Sequence, residues 1–253
     1  MSWSERQRQM LRAMGLTVWS PQPHTQDELP PIATTEPVSV PRLPPPAPSP
    51  APLPVALEEP SPVATMGWPE LRDAVAGCRA CGLCEGRTRT VFGVGNERAH
   101  WMIVGEAPGE QEDRAGEPFV GPAGQLLDDM LRALALTRQP GPPAKQVYIA
   151  NTLKCRPPRN RNPEPAELAR CEPFLKRQIA LVQPRVILAM GRFAIQQILR
   201  SDEAVGRLRG RAHSYQGVPV VVTYHPAYLL RQPADKAKAW DDLCLAASLL
   251  TAA

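Results

Sequence analysis

Two strand-to-loop junctions in this chain end in side chains suited to proton transfer and charge stabilisation. In the first, Ala99-His100-Trp101-Met102-Ile103 runs into Val104-Gly105-Glu106-Ala107-Pro108-Gly109-Glu110. An apolar, β-branched run stopped at once by Gly, Pro and Gly reads as a buried strand whose carboxyl end opens into a tight loop. Gly105 and Gly109 would let backbone approach a ligand closely, and Glu106 puts one carboxylate at the strand tip. In the second, Val220-Val221-Val222-Thr223-Tyr224-His225-Pro226-Ala227-Tyr228-Leu229-Leu230-Arg231 repeats the arrangement and delivers a histidine. An imidazole there could donate a hydrogen bond to charge developing on a leaving group, neutral or protonated. On local pattern alone, an ordinary turn and a histidine satisfied by nearby backbone fit these stretches as well.

The cysteines add a second kind of chemistry. Cys78-x2-Cys81 is followed at a distance by Cys155 and Cys171, two pairs that a folded domain could bring together. Four thiolates suit zinc or an iron–sulfur cluster, and spacing does not choose between them. Cys84 extends the first pair to a run of three, as in a bacterial ferredoxin, but no cysteine followed by proline completes that motif, so an electron carrier is disfavoured. Cys244, on an apolar helical face, is expected to be a small buried hydrophobe. Beside Cys155, the stretch Lys154-Cys155-Arg156-Pro157-Pro158-Arg159-Asn160-Arg161 carries four cations and no acid. It is either a solvated charged loop or a set of phosphate contacts. Leu229 and Leu230, before Arg231, form either an exposed apolar wedge for a base stack or the start of a core helix.

The elements that must position these groups begin late in the chain. Residues 2–19 place Trp3, Met10, Leu11 and Met14 near helical spacing among arginines, a short amphipathic segment that is either a docking peptide for a partner protein or a helix against its own domain. Residues 20–65 hold 15 of the 31 prolines, with no glycine and no aromatic residue. Such a stretch cannot build a core and is expected to be a disordered tether with a reach of about 140 Å at roughly 3.1 Å per residue. From residue 66 the pattern becomes that of a folded domain. Helices are expected over 68–76, 123–136, 163–182, 193–199 and 236–250, and strands over the run ending at Gly105, 147–150, 185–189 and 218–223, with Arg207, Arg209 and Arg211 along an edge. Alternation of strands and helices predicts an α/β fold: three layers, α/β/α, round a mainly parallel central four-stranded sheet.

Charge is uneven too. Residues 1–65 hold 4 Lys and Arg against 6 Asp and Glu, and residues 66–253 hold 25 against 19. The basic excess lies on the folded part and favours a polyanionic partner there. With no run of 18 apolar residues and no charged-then-apolar leader, the protein is expected to be soluble and not exported, a monomer of the cytoplasm with no membrane partner. Six cysteines in a chain that is not exported argue for metal or redox chemistry over disulfides.

Taken together and in order, Gly105-Glu106-Ala107-Pro108-Gly109, Gly116-Glu117-Pro118-Phe119-Val120-Gly121, Asn151-Thr152-Leu153-Lys154-Cys155-Arg156-Pro157-Pro158, Asn160-Arg161-x-Pro163, Cys171 and His225-Pro226-Ala227-Tyr228-Leu229-Leu230 resemble the family 4 uracil-DNA glycosylases, the iron–sulfur branch of that superfamily. The resemblance spans about residues 68 to 250. It implies a [4Fe–4S] cluster held by Cys78, Cys81, Cys155 and Cys171, and uracil extruded from DNA into a pocket where Phe119 stacks on the ring and Asn151 reads its edge. It implies catalytic roles for His225, toward the uracil oxygen, and Glu106, toward water or the sugar, and a substrate pocket completed by Gly105, Ala107 and Asn160. Phosphate and base-stack contacts fall to Arg156, Arg159, Arg161, Leu229 and Arg231. Where the better-known branch carries a water-activating aspartate this chain has Ala107, which leaves the base role of Glu106 a hypothesis, and Asn160 is either catalytic or loop-fixing. A non-catalytic protein that binds uracil-containing or single-stranded DNA is the alternative, and the presence of both Glu106 and His225 weighs against it. A covalent-trapping variant would need a basic, histidine-bearing insert between Cys155 and Cys171, and none is visible.

Overall fold

Burial of consecutive apolar residues without polar alternation marks a strand inside a parallel sheet. In the computed structural model, which describes residues 61–251, the strands are β1 (Val94–Gly95), β2 (Trp101–Gly105), β3 (Val147–Asn151), β4 (Val186–Met190), β5 (Ala212–Tyr215) and β6 (Val218–Thr223). Every residue of β2, β3 and β4 is buried. The sheet runs in the order β1-β3-β2-β4-β6-β5, and the inner strands β3, β2, β4 and β6 are all parallel. These are the four strands expected from sequence. Two short antiparallel edges add to them: β1 against β3, and β5 against β6 through a tight turn at Gln216 and Gly217, both at positive φ. Arg207, Arg209 and Arg211 do not alternate along that edge. Arg207 lies in a helical turn, Arg209 folds back onto buried Asp242 at 3.0 Å, and the strand begins only at Ala212.

The helices are α1 (Trp68–Ala76), α2 (Leu83–Gly86), α3 (Glu110–Ala115), α4 (Pro122–Ala133), α5 (Pro165–Val182), α6 (Arg192–Leu199), α7 (Val205–Leu208), α8 (Pro226–Arg231) and α9 (Lys236–Thr251). Alternate residues of each strand serve opposite cores. Trp101, Ile103, Val147, Ile149 and Leu188 pack with Leu127 and Leu131 of α4 and Leu243 of α9. Met102, Val104, Tyr148, Ala150 and Ile187 pack with Leu175 and Ile179 of α5 and Ile198 of α6. The result is the expected three-layer α/β/α arrangement. Cys244 departs from expectation, since it lies on the exposed side of α9.

This topology opens one crevice. The connection leaving β2 runs to the α4 face, while those leaving β3 and β4 run to the α5 and α6 face, so the loops part at the carboxyl ends of the strands. Gly105 pairs with Asn151 and Met190 with Thr223, which brings four strand tips level.

Residues 61–65, counted with the linker by composition, form a turn over Pro62–Thr65 whose Val63 packs with Met66, Leu71 and Phe174. The amphipathic segment 1–19 and the rest of the Pro-rich stretch lie outside the described residues. Among the described residues no helix is long and apolar enough to cross a membrane.

Candidate active site

At the parting of the loops lies a cavity of about 210 Å³ whose wall includes Glu106, Ala107, Phe119, Asn151, Asn160 and His225. With Arg161, which also lines it, seven of the expected site residues are thus brought together. Gly105, expected in the pocket, is not part of that wall but lies buried against Asn151 and Phe119. A Cβ there would strike Asn151 Oδ1 and come within 2.6 Å of the Phe119 ring. Glycine at this position is therefore what lets the ring, the amide and the strand tip share one site, a packing role as much as a ligand-approach role. Past the strands the two backbones stay stitched, with Thr152 N–H donating to Gly105 O and Leu153 N–H to Glu106 O, each at 3.1 Å.

Asn151 is buried, and its Oδ1 has no hydrogen-bond partner. A buried polar atom left open at a cavity wall costs stability unless a ligand satisfies it. Phe119 sits beside it with φ 56°, an uncommon conformation for a bulky residue. Three contacts hold it there. Glu112 of α3 accepts from Val120 N–H at 3.1 Å and Gly121 N–H at 3.3 Å, and Arg138 donates to Pro118 O at 2.9 Å. Glu112 also accepts from Gly109 N–H at 3.1 Å, which ties the loop after β2 to the loop that carries Phe119.

His225 caps α8: its Nδ1 accepts from Ala227 N–H at 3.2 Å. With Nδ1 an acceptor, the neutral ring carries its proton on Nε2. Burial pushes the imidazole down to about 4, Arg231 pushes the same way and Glu112 opposes, so the ring is neutral near pH 7. It stacks on Phe119 with centroids 5.3 Å apart. Glu106 moves in the other direction. Burial raises its carboxyl above the ordinary range, against the pull of Arg192 and Arg231. The cavity thus holds a neutral donor and a carboxylate whose proton affinity is enhanced, a pairing typical of acid–base sites.

The basic loop is less free than its composition suggests. Arg161 reaches the cavity wall but makes a two-pronged pair with Glu167, at 2.6 and 3.0 Å. Arg156 donates to Asn160 Oδ1 at 2.8 Å, and Asn160 stands on the exposed rim of the cavity. Arg159, at φ 55°, is exposed. Leu229 corrects the expectation of a wedge. It is wholly buried, because α8 turns that position inward, and Leu230, 44% exposed, is the apolar side chain presented to solvent beside Arg231. Two groups escaped the sequence reading. Glu112, three residues after Gly109, has the helix-start spacing of a capping residue, which could have found it. Arg192 follows Met190-Gly191 at a strand tip, a position as informative as Glu106.

A second cavity is lined by Cys78, Cys81, Cys84, Cys155 and Cys171. Arg87 donates to Cys155 Sγ at 3.1 Å and Lys154 N–H to Cys171 Sγ at 3.3 Å, so the sulfurs are supplied with donors suited to thiolates. Burial pushes the Cys171 thiol up to about 12, against the opposing pull of Lys154 and its backbone N–H. Among the described residues no three His, Cys, Asp or Glu side chains close on a point fit for one metal ion. The cysteine sulfurs are spread round one cavity, a donor set that fits zinc or an iron–sulfur cluster. Cys84 lines the same cavity, so five sulfurs are at hand for four positions.

Comparison with known proteins gives the family. The family model for the uracil DNA glycosylase superfamily matches residues 92–244. A type-4 uracil-DNA glycosylase of Archaeoglobus fulgidus is 43% identical over 167 residues, 63% of this chain and 81% of that protein. One from Pyrobaculum aerophilum is 39% identical over 71% of this chain and 93% of its own length, and one from Thermotoga maritima 41% identical over 65% and 83%. The chain belongs to the type-4 uracil-DNA glycosylases, an enzyme family of the uracil DNA glycosylase superfamily.

Proposed function

We propose that this protein hydrolyses the N-glycosidic bond of uracil in single- and double-stranded DNA, releasing free uracil and leaving an abasic site for base excision repair in the cytoplasm, at the nucleoid. The observation that carries the reading is the grouping of the Phe119 ring, the open Oδ1 of Asn151 and the neutral His225 round one cavity beside Glu106.

An extruded uracil stacks on Phe119, and the Asn151 amide accepts from its N3–H and donates to its O4. Cytosine offers an amino group where uracil has O4, so a fixed amide donor rejects it. As the bond from N1 to C1′ breaks, the electron pair leaves with the base, and His225 Nε2–H donates to the uracil oxygen where that charge collects. A neutral donor suits this step: it stabilises the anion without having to shed a proton of its own. Glu106 orients the attacking water, takes its proton as the oxygen joins C1′, and offsets cation character on the sugar. Arg156, Arg159 and Arg231 meet the phosphates, and Leu230 enters the stack vacated by the base.

Cys78 and Cys81 on one side and Cys155 and Cys171 on the other would hold a [4Fe–4S] cluster. When bound it supplies a cross-tie between the loop after α1 and the segment from β3 to α5, and so steadies the arginine-bearing loop. The test is incubation with single- and double-stranded oligonucleotides carrying one uracil, then alkali to cut at abasic sites. Cutting at the uracil in both is expected. Intact oligonucleotides with a brown, iron-loaded protein that still binds them would overturn the hydrolase reading in favour of a binding protein.

A further inference from the structure

Lys154 is 2% exposed, and its ammonium donates to the backbone oxygen of Asn151 at 2.8 Å and to Gln178 Oε1 at 2.6 Å. Gln178 cannot turn away, since its amide nitrogen donates to Phe92 O at 2.9 Å and Tyr148 Oη at 3.1 Å. Both acceptors of the ammonium are uncharged. Among the described residues no carboxylate pairs with it, although the ion pairs of its neighbours are plentiful. A buried cation without a counter-ion is strongly unfavourable. Lys154 lines the cavity of the five cysteines, and its backbone N–H donates to Cys171 Sγ at 3.3 Å. A [4Fe–4S] core bound by four thiolates is net anionic. The other four of the chain's five lysines are exposed, so this burial is particular to position 154.

We propose that Lys154 is the counter-charge of the thiolate site and the link through which that site holds Asn151 in place to read uracil. The inference rests on the preceding reading of the cysteines as cluster ligands and of Asn151 as the base reader. Lys154 is a positioning residue: it touches the backbone of Asn151, never the base. Its charge answers the cluster on one side while its Nζ–H fixes the Asn151 peptide on the other, so loading of the cluster and affinity for uracil are coupled through one side chain.

The test uses the iron-loaded full chain with Lys154→Met and Lys154→Gln, reading the reduction potential of the cluster and inhibition by free uracil. Both variants remove a cation beside the cluster, so both potentials are expected to move negative. Lys154→Met also loses the donor to Asn151 O, and its uracil inhibition constant is expected to rise roughly tenfold. Lys154→Gln, whose amide can still donate, should lose less. Wild-type potential and inhibition in iron-loaded Lys154→Met would overturn the proposal, and a moved potential with unchanged inhibition would overturn the link to Asn151. Should the variants fail to fold, ¹⁵N-lysine labelling of the wild type decides. One slowly exchanging ammonium signal that shifts on cluster reduction is expected, and its absence overturns the assignment. Iron-free wild-type protein would instead overturn the cluster reading on which this rests.

Discussion

Replacing Gly105 with Ala tests the site through a single methyl group. Its backbone needs no left-handed conformation, so alanine is free of dihedral strain, and the cost lies wholly in space. The new Cβ would overlap Asn151 Oδ1 and lie 2.6 and 2.7 Å from two Phe119 ring carbons, against about 3.5 Å for a comfortable carbon contact. Ring or amide must therefore give by roughly 1 Å. The ring is held through Glu112 and Arg138, and the amide by the pairing of β3 with β2. Overpacking of this kind costs about 1–3 kcal/mol, a fall of a few degrees in Tm for a domain of this size. Misplacement of a binding group by 1 Å costs about 100-fold in rate. Gly105→Ala is thus expected to stay folded while kcat/KM on a uracil oligonucleotide falls about 100-fold, with most of the loss in recognition of the base. A variant with kcat/KM within threefold of wild type would refute the close-packed site described here.

Glu112→Ala leaves three backbone N–H groups of the site loops without their carboxylate acceptor, and is expected to cost about 2–3 kcal/mol in thermal or denaturant unfolding and to loosen Phe119. The acid limb of kcat/KM should fall above the ordinary carboxylate range, because the raised Glu106 is protonated early, and Glu106→Gln should remove both that limb and most of the rate. His225 acts on stability with the opposite sign. Its folded value of about 4 lies below 6.5, so the unfolded chain binds the proton first, and its contribution is complete above about pH 6.5 and lost progressively down to about 4. Leu230→Ala should weaken turnover on duplex several-fold more than on single strands, whereas Leu229→Ala should unfold the domain more readily, by about 2–5 kcal/mol, with no such strand preference.

What sequence could reach here follows from the range of each interaction. The inner strands were legible because a strand buried on both faces must be continuously apolar, as Trp101–Gly105, residues 147–150 and Val186–Met190 are. Strand β1 was not, since two residues carry no pattern, and β5 is defined by its partner β6 more than by its own residues. The cavity residues were legible as strand tips joined by motif, but their couplings were not. Arg161 looks like a free cation until Glu167, six residues on, takes it. Leu229 and Leu230 are chemically alike, and only the pitch of the six-residue α8 separates core from surface. Lys154 reads as one more charge in a basic loop, and only the fold turns it inward beneath Asn151.

The most direct measurement is the single-turnover rate of uracil release from a short single-stranded oligonucleotide, wild type against His225→Ala. Loss of one donor aimed at developing charge in a partly closed site predicts a fall of about 100- to 1,000-fold, with the oligonucleotide still bound. A mutant rate within threefold of wild type would place the stabilisation of the leaving base elsewhere and contradict the chemistry assigned to this cavity.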